Sequence, residues 1–177
     1  MIHIETDRLI LRLVPLAGLA STAAGNIKAT RRLIGEKLPE EWFDDSWVYK
    51  QRYDQWLADP SYAPWSIRAI ASKETGEIAG HMNCHHKPMP FVLNGKKGLA
   101  TEMGYTVFEP YRRQGIAHEA IVAFAAWAKT QGLEGIILSI QPVNLASLAL
   151  AKKLGAIQIG SHIDEKDGPE DIYYFHC

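Results

Sequence analysis

The reading turns on Thr101-Glu102-Met103-Gly104-Tyr105-Thr106-Val107-Phe108-Glu109-Pro110-Tyr111-Arg112-Arg113-Gln114-Gly115-Ile116-Ala117. Residues 101–108 read as a strand, Glu109-Pro110 begins a turn, and Gly115 opens a helix. The helix is the clearest in the chain. Ala117, Ala120, Ile121, Phe124, Ala125 and Ala128 fall at offsets 0, 3, 4, 7, 8 and 11, one face of a 3.6-residue period. Gly132 reads as its C-terminal cap. The first turn of a helix leaves N–H groups unpaired and carries a partial positive charge. A glycine there admits an anion close to the backbone, and Arg112 and Arg113 add charge suited to a phosphate. The expectation is a diphosphate cradle. An arginine-rich loop ahead of a core helix has the same local pattern.

Outward from this segment, a strand is expected at 136–141 and a helix at 144–154, capped by Asn144 and ended by Gly155. A short strand at 173–175 closes the chain. Toward the N-terminus, Leu9, Leu11 and Leu13 alternate in a strand at 5–14. Residues 17–33 read as a helix and 36–57 as containing another. Strands at 65–71 and 77–86 join through the turn Glu74-Thr75-Gly76, and Asn94-Gly95 begins a second turn. The pattern predicts one domain over 1–177, of mixed α/β class, with a partly antiparallel sheet flanked by helices.

Composition bounds the function. The 177 residues are 47% hydrophobic and 22% charged, which suits a globular core and argues against disorder. A net charge of -1 argues against a nucleic-acid binder held by bulk positive charge. Two cysteines, Cys84 and Cys177, make no disulfide framework. The N-terminus lacks the pattern of a signal peptide, and the longest apolar run, 120–128, is too short to span a bilayer. A cytoplasmic protein is expected, with no membrane or nucleic-acid partner and its oligomeric state open.

Arg112-Arg113-Gln114-Gly115-Ile116-Ala117 fits the pattern Arg/Gln-x-x-Gly-x-Gly/Ala, the acetyl-CoA signature of the GCN5-related N-acetyltransferase (GNAT) family, in the right strand–turn–helix context. Three further segments resemble the subgroup containing the ribosomal-protein N-terminal acetyltransferases. They are Thr6-Asp7-Arg8-Leu9-Ile10-Leu11-Arg12, Gly76-Glu77-Ile78-Ala79-Gly80, and the spacing of Asn144, Ser147, Leu150, Lys153, Leu154 and Gly155. The resemblance runs from about residue 5 to about residue 160. It implies a GNAT-type twisted sheet and an acetyl-CoA-dependent N-acetyltransferase acting on a primary amine: a protein N-terminus or a small amine. Attack would be direct, in a ternary complex. Backbone N–H groups of Arg113, Gln114, Gly115, Ile116 and Ala117 would hold the diphosphate, Arg112 would add charge, and Val107 would pair with the pantetheine arm. The strand carrying Val107 would bulge and splay from 136–141. A non-catalytic acyl-CoA-binding module would carry the same cradle. A P-loop is disfavoured, since Gly-x-x-x-x-Gly-Lys-Ser/Thr is absent.

The resemblance frames the remaining candidates. Asn144 is explained by N-capping and by ligand contact alike. Glu102, at the start of the strand flanking the acetyl group, is the candidate base. Ser147 is the candidate donor to the departing thiolate: many family members carry a tyrosine four residues later, where this chain has Ala151. His81, Cys84, His85 and His86 look like a metal cluster. However, the adjacent histidines point to opposite faces of a strand, so no metal is expected. Residues 36–56 mix Glu36, Glu40, Glu41, Asp44 and Asp45 with three tryptophans, and an acidic, aromatic rim there would suit a cationic amine.

Overall fold

The protein is described by a computed structural model covering residues 3–165 and 168–177. The chain opens with β1 (Ile4–Glu5) and β2 (Leu9–Leu13), then helices α1 (Leu16–Ala23) and α2 (Ile27–Ile34). A 3-10 turn at Glu40–Phe43 precedes α3 (Ser46–Ala58), and another at Pro60–Trp65 precedes β3 (Arg68–Ser72). Next come β4 (Ile78–Cys84), β5 (Met89–Leu93) and the long β6 (Lys96–Val107). The 3-10 turn Glu109–Tyr111 leads into α4 (Ile116–Thr130), β7 (Gly135–Ile140), α5 (Leu145–Lys153), β8 (Ile157–Asp164) and β9 (Gly168–His176).

The described strands form one sheet in the order β1-β2-β3-β4-β6-β7-β9-β8, with β5 beside the first half of β6. β6 and β7 run parallel; the other neighbouring pairs are antiparallel. Strand alternation sends neighbouring residues to opposite faces. Leu11, Ile70, Met82 and Met103 pack with Ile121 and Phe124 of α4. Ala69, Ala71 and Ile78 pack on the other face with Leu19, Trp42 and Tyr49 of the N-terminal helices. β4 is therefore buried along its whole length. Two layers of helix thus sandwich the sheet centre at β3 and β4, and the α4 layer continues onto β6 and β7.

The helix expected over 17–33 is two helices. Gly25 (φ +66°) takes the left-handed conformation that glycine adopts readily, and the Asn26 side-chain oxygen Oδ1 accepts from the Ala29 N–H at 3.1 Å, capping a new helix. The 36–57 region divides at Asp45, before α3. β5 and β8 are not expected from sequence. Pro90 disguises β5, and proline is tolerated because β5 is bonded through β6 alone. Apart from Ile159, β8 has no buried or half-buried apolar residue, so no regular alternation marks it. No helix among the described residues is long and apolar enough to cross a membrane.

Candidate functional site: a cleft where the sheet opens

β6 and β7 pair from Ala100–Gly135 to Glu102–Ile137 and no further. Beyond that point β6 stays with β4 through Met103–Val107, while β7 stays with β9 through Ile140–Asp171. The two strands diverge because each remains bonded on its outer side. Between them lies a cavity of about 210 Å³ lined by Gly104, Tyr105, Leu138, Ser139, Asn144, Ser147 and Glu170, among others. It shares Tyr105, Asn144 and Ser147 with a cleft of about 1060 Å³ that extends along α5 to the start of α4. The expected splay is present, but the β4–β6 register runs without a shift, so the expected bulge is not. Gly104 serves another purpose: a Cβ there would lie 3.0 Å from Nε2 of His85, so the glycine leaves room for that ring.

At the far end of the cleft, Arg113 (φ +61°) and Gly115 (φ +78°) both adopt left-handed conformations and curl the chain into the start of α4. The first intrahelical bond runs from the Glu119 N–H to the Gly115 carbonyl, leaving the preceding N–H groups for a ligand. Val107, Arg112, Arg113, Gly115, Ile116, Ala117 and Asn144 all line the cleft. Gln114 does not: its Nε2 donates to the Pro110 carbonyl at 3.0 Å, so its side chain closes the loop instead. Arg112 Nε donates to the Val107 carbonyl at 2.9 Å, occupying the strand edge expected to pair with pantetheine.

The loop has an anchor that sequence reasoning missed. Arg8, in the turn before β2, donates from Nη2 and Nη1 to the Gln114 carbonyl at 3.2 and 3.3 Å. It also pairs with Glu119 at 2.5 and 2.7 Å. Across a trans peptide, C=O and N–H point in opposite directions. Holding the Gln114 carbonyl therefore sets the direction of the Gly115 N–H. Glu119 also accepts from the Thr6 hydroxyl at 2.5 Å. Burial pushes its carboxyl up, but the bonds from Thr6 and Arg8 outweigh this and hold it below the usual range.

On α5, the Asn144 side chain accepts from the Ser147 N–H at 3.1 Å, so Asn144 both caps the helix and faces the cleft. The Tyr105 hydroxyl donates to Ser147 Oγ at 3.1 Å, leaving the serine proton available to another acceptor. Burial raises the Tyr105 phenol above its ordinary value, so it stays protonated. Tyr105 was legible in principle: it alternates with Met103 and Val107 on the face that meets α4. Ala151, by contrast, is buried in the core.

On the opposite face, Glu102 Oε1 lies 3.3 Å from His85 Nδ1. The hydrogen bond from His85 lowers the Glu102 carboxyl despite partial burial, with help from Ser139. Cys84 is fully buried, and burial pushes its thiol up to about 12, which makes it no nucleophile at neutral pH. His81 is enclosed by Trp42, Tyr49 and Phe108. Among the described residues no three His, Cys, Asp or Glu side chains are placed to hold a metal ion. The acidic, aromatic segment divides: Trp42 is core and donates to the Thr22 hydroxyl at 3.1 Å, whereas Trp47 is 52% exposed and Glu36, Glu40, Glu41 and Asp44 face solvent.

Known proteins share this fold. The sequence model described as "Acetyltransferase (GNAT) domain" matches residues 8–157. An acetyltransferase from Agrobacterium tumefaciens is 24% identical over 100% of this chain and 95% of its own, with a TM-score of 0.66. The ribosomal-protein-S5-alanine acetyltransferase of Vibrio fischeri is 20% identical, with 100% and 96% covered and a TM-score of 0.64. Mycobacterium smegmatis RimJ, solved with CoA-disulfide, is 18% identical, with 96% and 82% covered and a TM-score of 0.60. The structural neighbours share the fold, the family match spans most of the sequence, and the chain belongs to the GNAT family as an N-acetyltransferase.

Proposed function

We propose that the cleft binds acetyl-CoA and that the protein transfers its acetyl group to a primary amine, either a protein N-terminus or a small amine. The observation that carries this reading is the divergence of β6 from β7 beyond Glu102, which joins the open strand edge to the N-terminus of α4. In this reading the N–H groups of residues 113–117 hold the diphosphate, with Arg112 and Arg113 supplying charge. Val107 and Asn144 contact the arm, after Arg112 releases the Val107 carbonyl. Acetyl-CoA supplies the activated thioester. Ser147, itself hydrogen-bonded by Tyr105, donates toward the sulfur, and Glu102 marks the side from which the amine arrives. Attack is direct, since the nearby thiol of Cys84 is buried and protonated. We place the activity in the cytoplasm, which suits a chain with two unpaired cysteines.

The test is thiol release from acetyl-CoA over a panel of amines: a peptide with a free α-amine, spermidine, lysine and an aminoglycoside. Amine-dependent release is expected. Tight coenzyme binding with no release over any amine would instead mark a non-catalytic acyl-CoA-binding module.

A further inference from the structure

We propose that His85 is the base that takes the proton from the acceptor ammonium, and that Glu102 is the positioning residue that holds its ring. The inference rests on the acetyl-transfer reading above and concerns the acceptor side of that site.

The geometry is specific. Nδ1 of His85 faces Oε1 of Glu102 at 3.3 Å. An ionised carboxylate only accepts, so Nδ1 carries a proton, and in the neutral ring Nε2 then keeps its lone pair. Nε2 lies 3.0 Å from where a Cβ on residue 104 would stand, and Gly104 lines the cavity between the splayed strands. The lone pair is thus at the point where the sheet opens.

The backbone of His85 is pinned from two elements. Its N–H donates to the Glu102 carbonyl at 2.8 Å, and its carbonyl accepts from Gln55 Nε2 at 2.8 Å and Arg52 Nη1 at 3.5 Å. Arg52 is buried and held by Asn83 at 2.7 Å and Gln55 at 2.8 Å, so α3 fixes where β4 ends. His86 turns away, with Nδ1 2.8 Å from the Lys87 carbonyl, and its own carbonyl accepts from Thr101 at 2.6 Å. The charged or titratable groups around His85 are Glu102 from β6, Arg52 from α3, and His86 and Lys87 on its own turn. Lys87 is paired with Asp59 at 2.6 Å.

The chemistry favours the ring over the carboxylate. A base works best when its proton affinity lies near the operating pH. Glu102 is held below the usual carboxylate range, so it is a weak base and a good acceptor of the Nδ1 proton. In the proposed step an N–H bond of the ammonium breaks and an Nε2–H bond forms. The freed nitrogen lone pair forms the N–C bond as the C–S bond breaks, and the proton later leaves to solvent.

The test has two arms. Ring 15N spectra of the free protein report the tautomer without any substrate: wild type should show the Nδ1–H form, and Glu102→Gln a mixture. Thiol release is then measured with the fastest amine of the panel. His85→Gln should lower it about 100-fold or more. His85→Ala should be partly rescued by added imidazole, and both variants should bind acetyl-CoA within about twofold of wild type. A wild-type rate in His85→Gln, or a ring proton on Nε2, overturns the assignment. Failure of wild type itself to bind acetyl-CoA would instead overturn the acetyl-transfer reading beneath it.

Discussion

Replacing Arg8 tests whether the anion loop is aligned from outside the motif. The guanidinium holds the Gln114 carbonyl and pairs with Glu119, which sits in the first turn of α4. Arg8→Gln removes both effects. Arg8 is 57% exposed, so its pairing should add little to stability, ~1 kcal/mol or less. Coenzyme binding should suffer more. A misdirected Gly115 N–H forfeits a hydrogen bond to a charged group, worth ~1.5–3 kcal/mol, and an unneutralised Glu119 adds repulsion near the diphosphate. A loss of about 2 kcal/mol corresponds to roughly 30-fold in Kd. Calorimetry should show this loss for acetyl-CoA and none for acetyl-pantetheine, which lacks the diphosphate. Adding Glu119→Gln to Arg8→Gln should restore part of the affinity. Equal acetyl-CoA affinity in wild type and a folded Arg8→Gln variant would refute the reasoning.

Gly115→Val forces a branched residue to φ +78° and fills the anion space; we expect a stability loss of ~1–2 kcal/mol and a larger loss of acetyl-CoA affinity, read by melting and calorimetry. Tyr105→Phe and Ser147→Ala should each lower turnover severalfold with coenzyme affinity within about twofold, and unchanged turnover in both would remove the donor role. Burial lowers the His81 imidazole to about 4, so the folded protein resists protonation while the unfolded chain accepts it near 6.5. Stability from this group is therefore full above about pH 6.5 and falls by ~3 kcal/mol as pH drops toward 4. Asp45 Oδ2, 3.9 Å from Nε2, is too distant to offset the lost water. Urea midpoints across that range should decline in wild type and flatten in His81→Phe; an identical slope in both would disprove the attribution.

The strand, turn and helix around Gly115 were legible in the sequence because each depends on neighbours a few residues away. The apolar period of α4, the glycine at its start and the Asn144 cap are local matters of backbone and spacing. The same locality explains the errors: a continuous Ala/Leu pattern hid the break at Gly25-Asn26, and a proline hid β5. What the tertiary structure decided is which distant groups meet. Arg8 reaches Glu119 across 111 positions, and Tyr105 reaches Ser147 across 42. His85 faces Glu102 only because β4 and β6 lie side by side with Cys84 opposite Met103. The opening between β6 and β7 likewise depends on the outer partners, β4 and β9, that each strand keeps. No local propensity encodes such pairings, because they follow from strand register and from helices packed against both faces of the sheet.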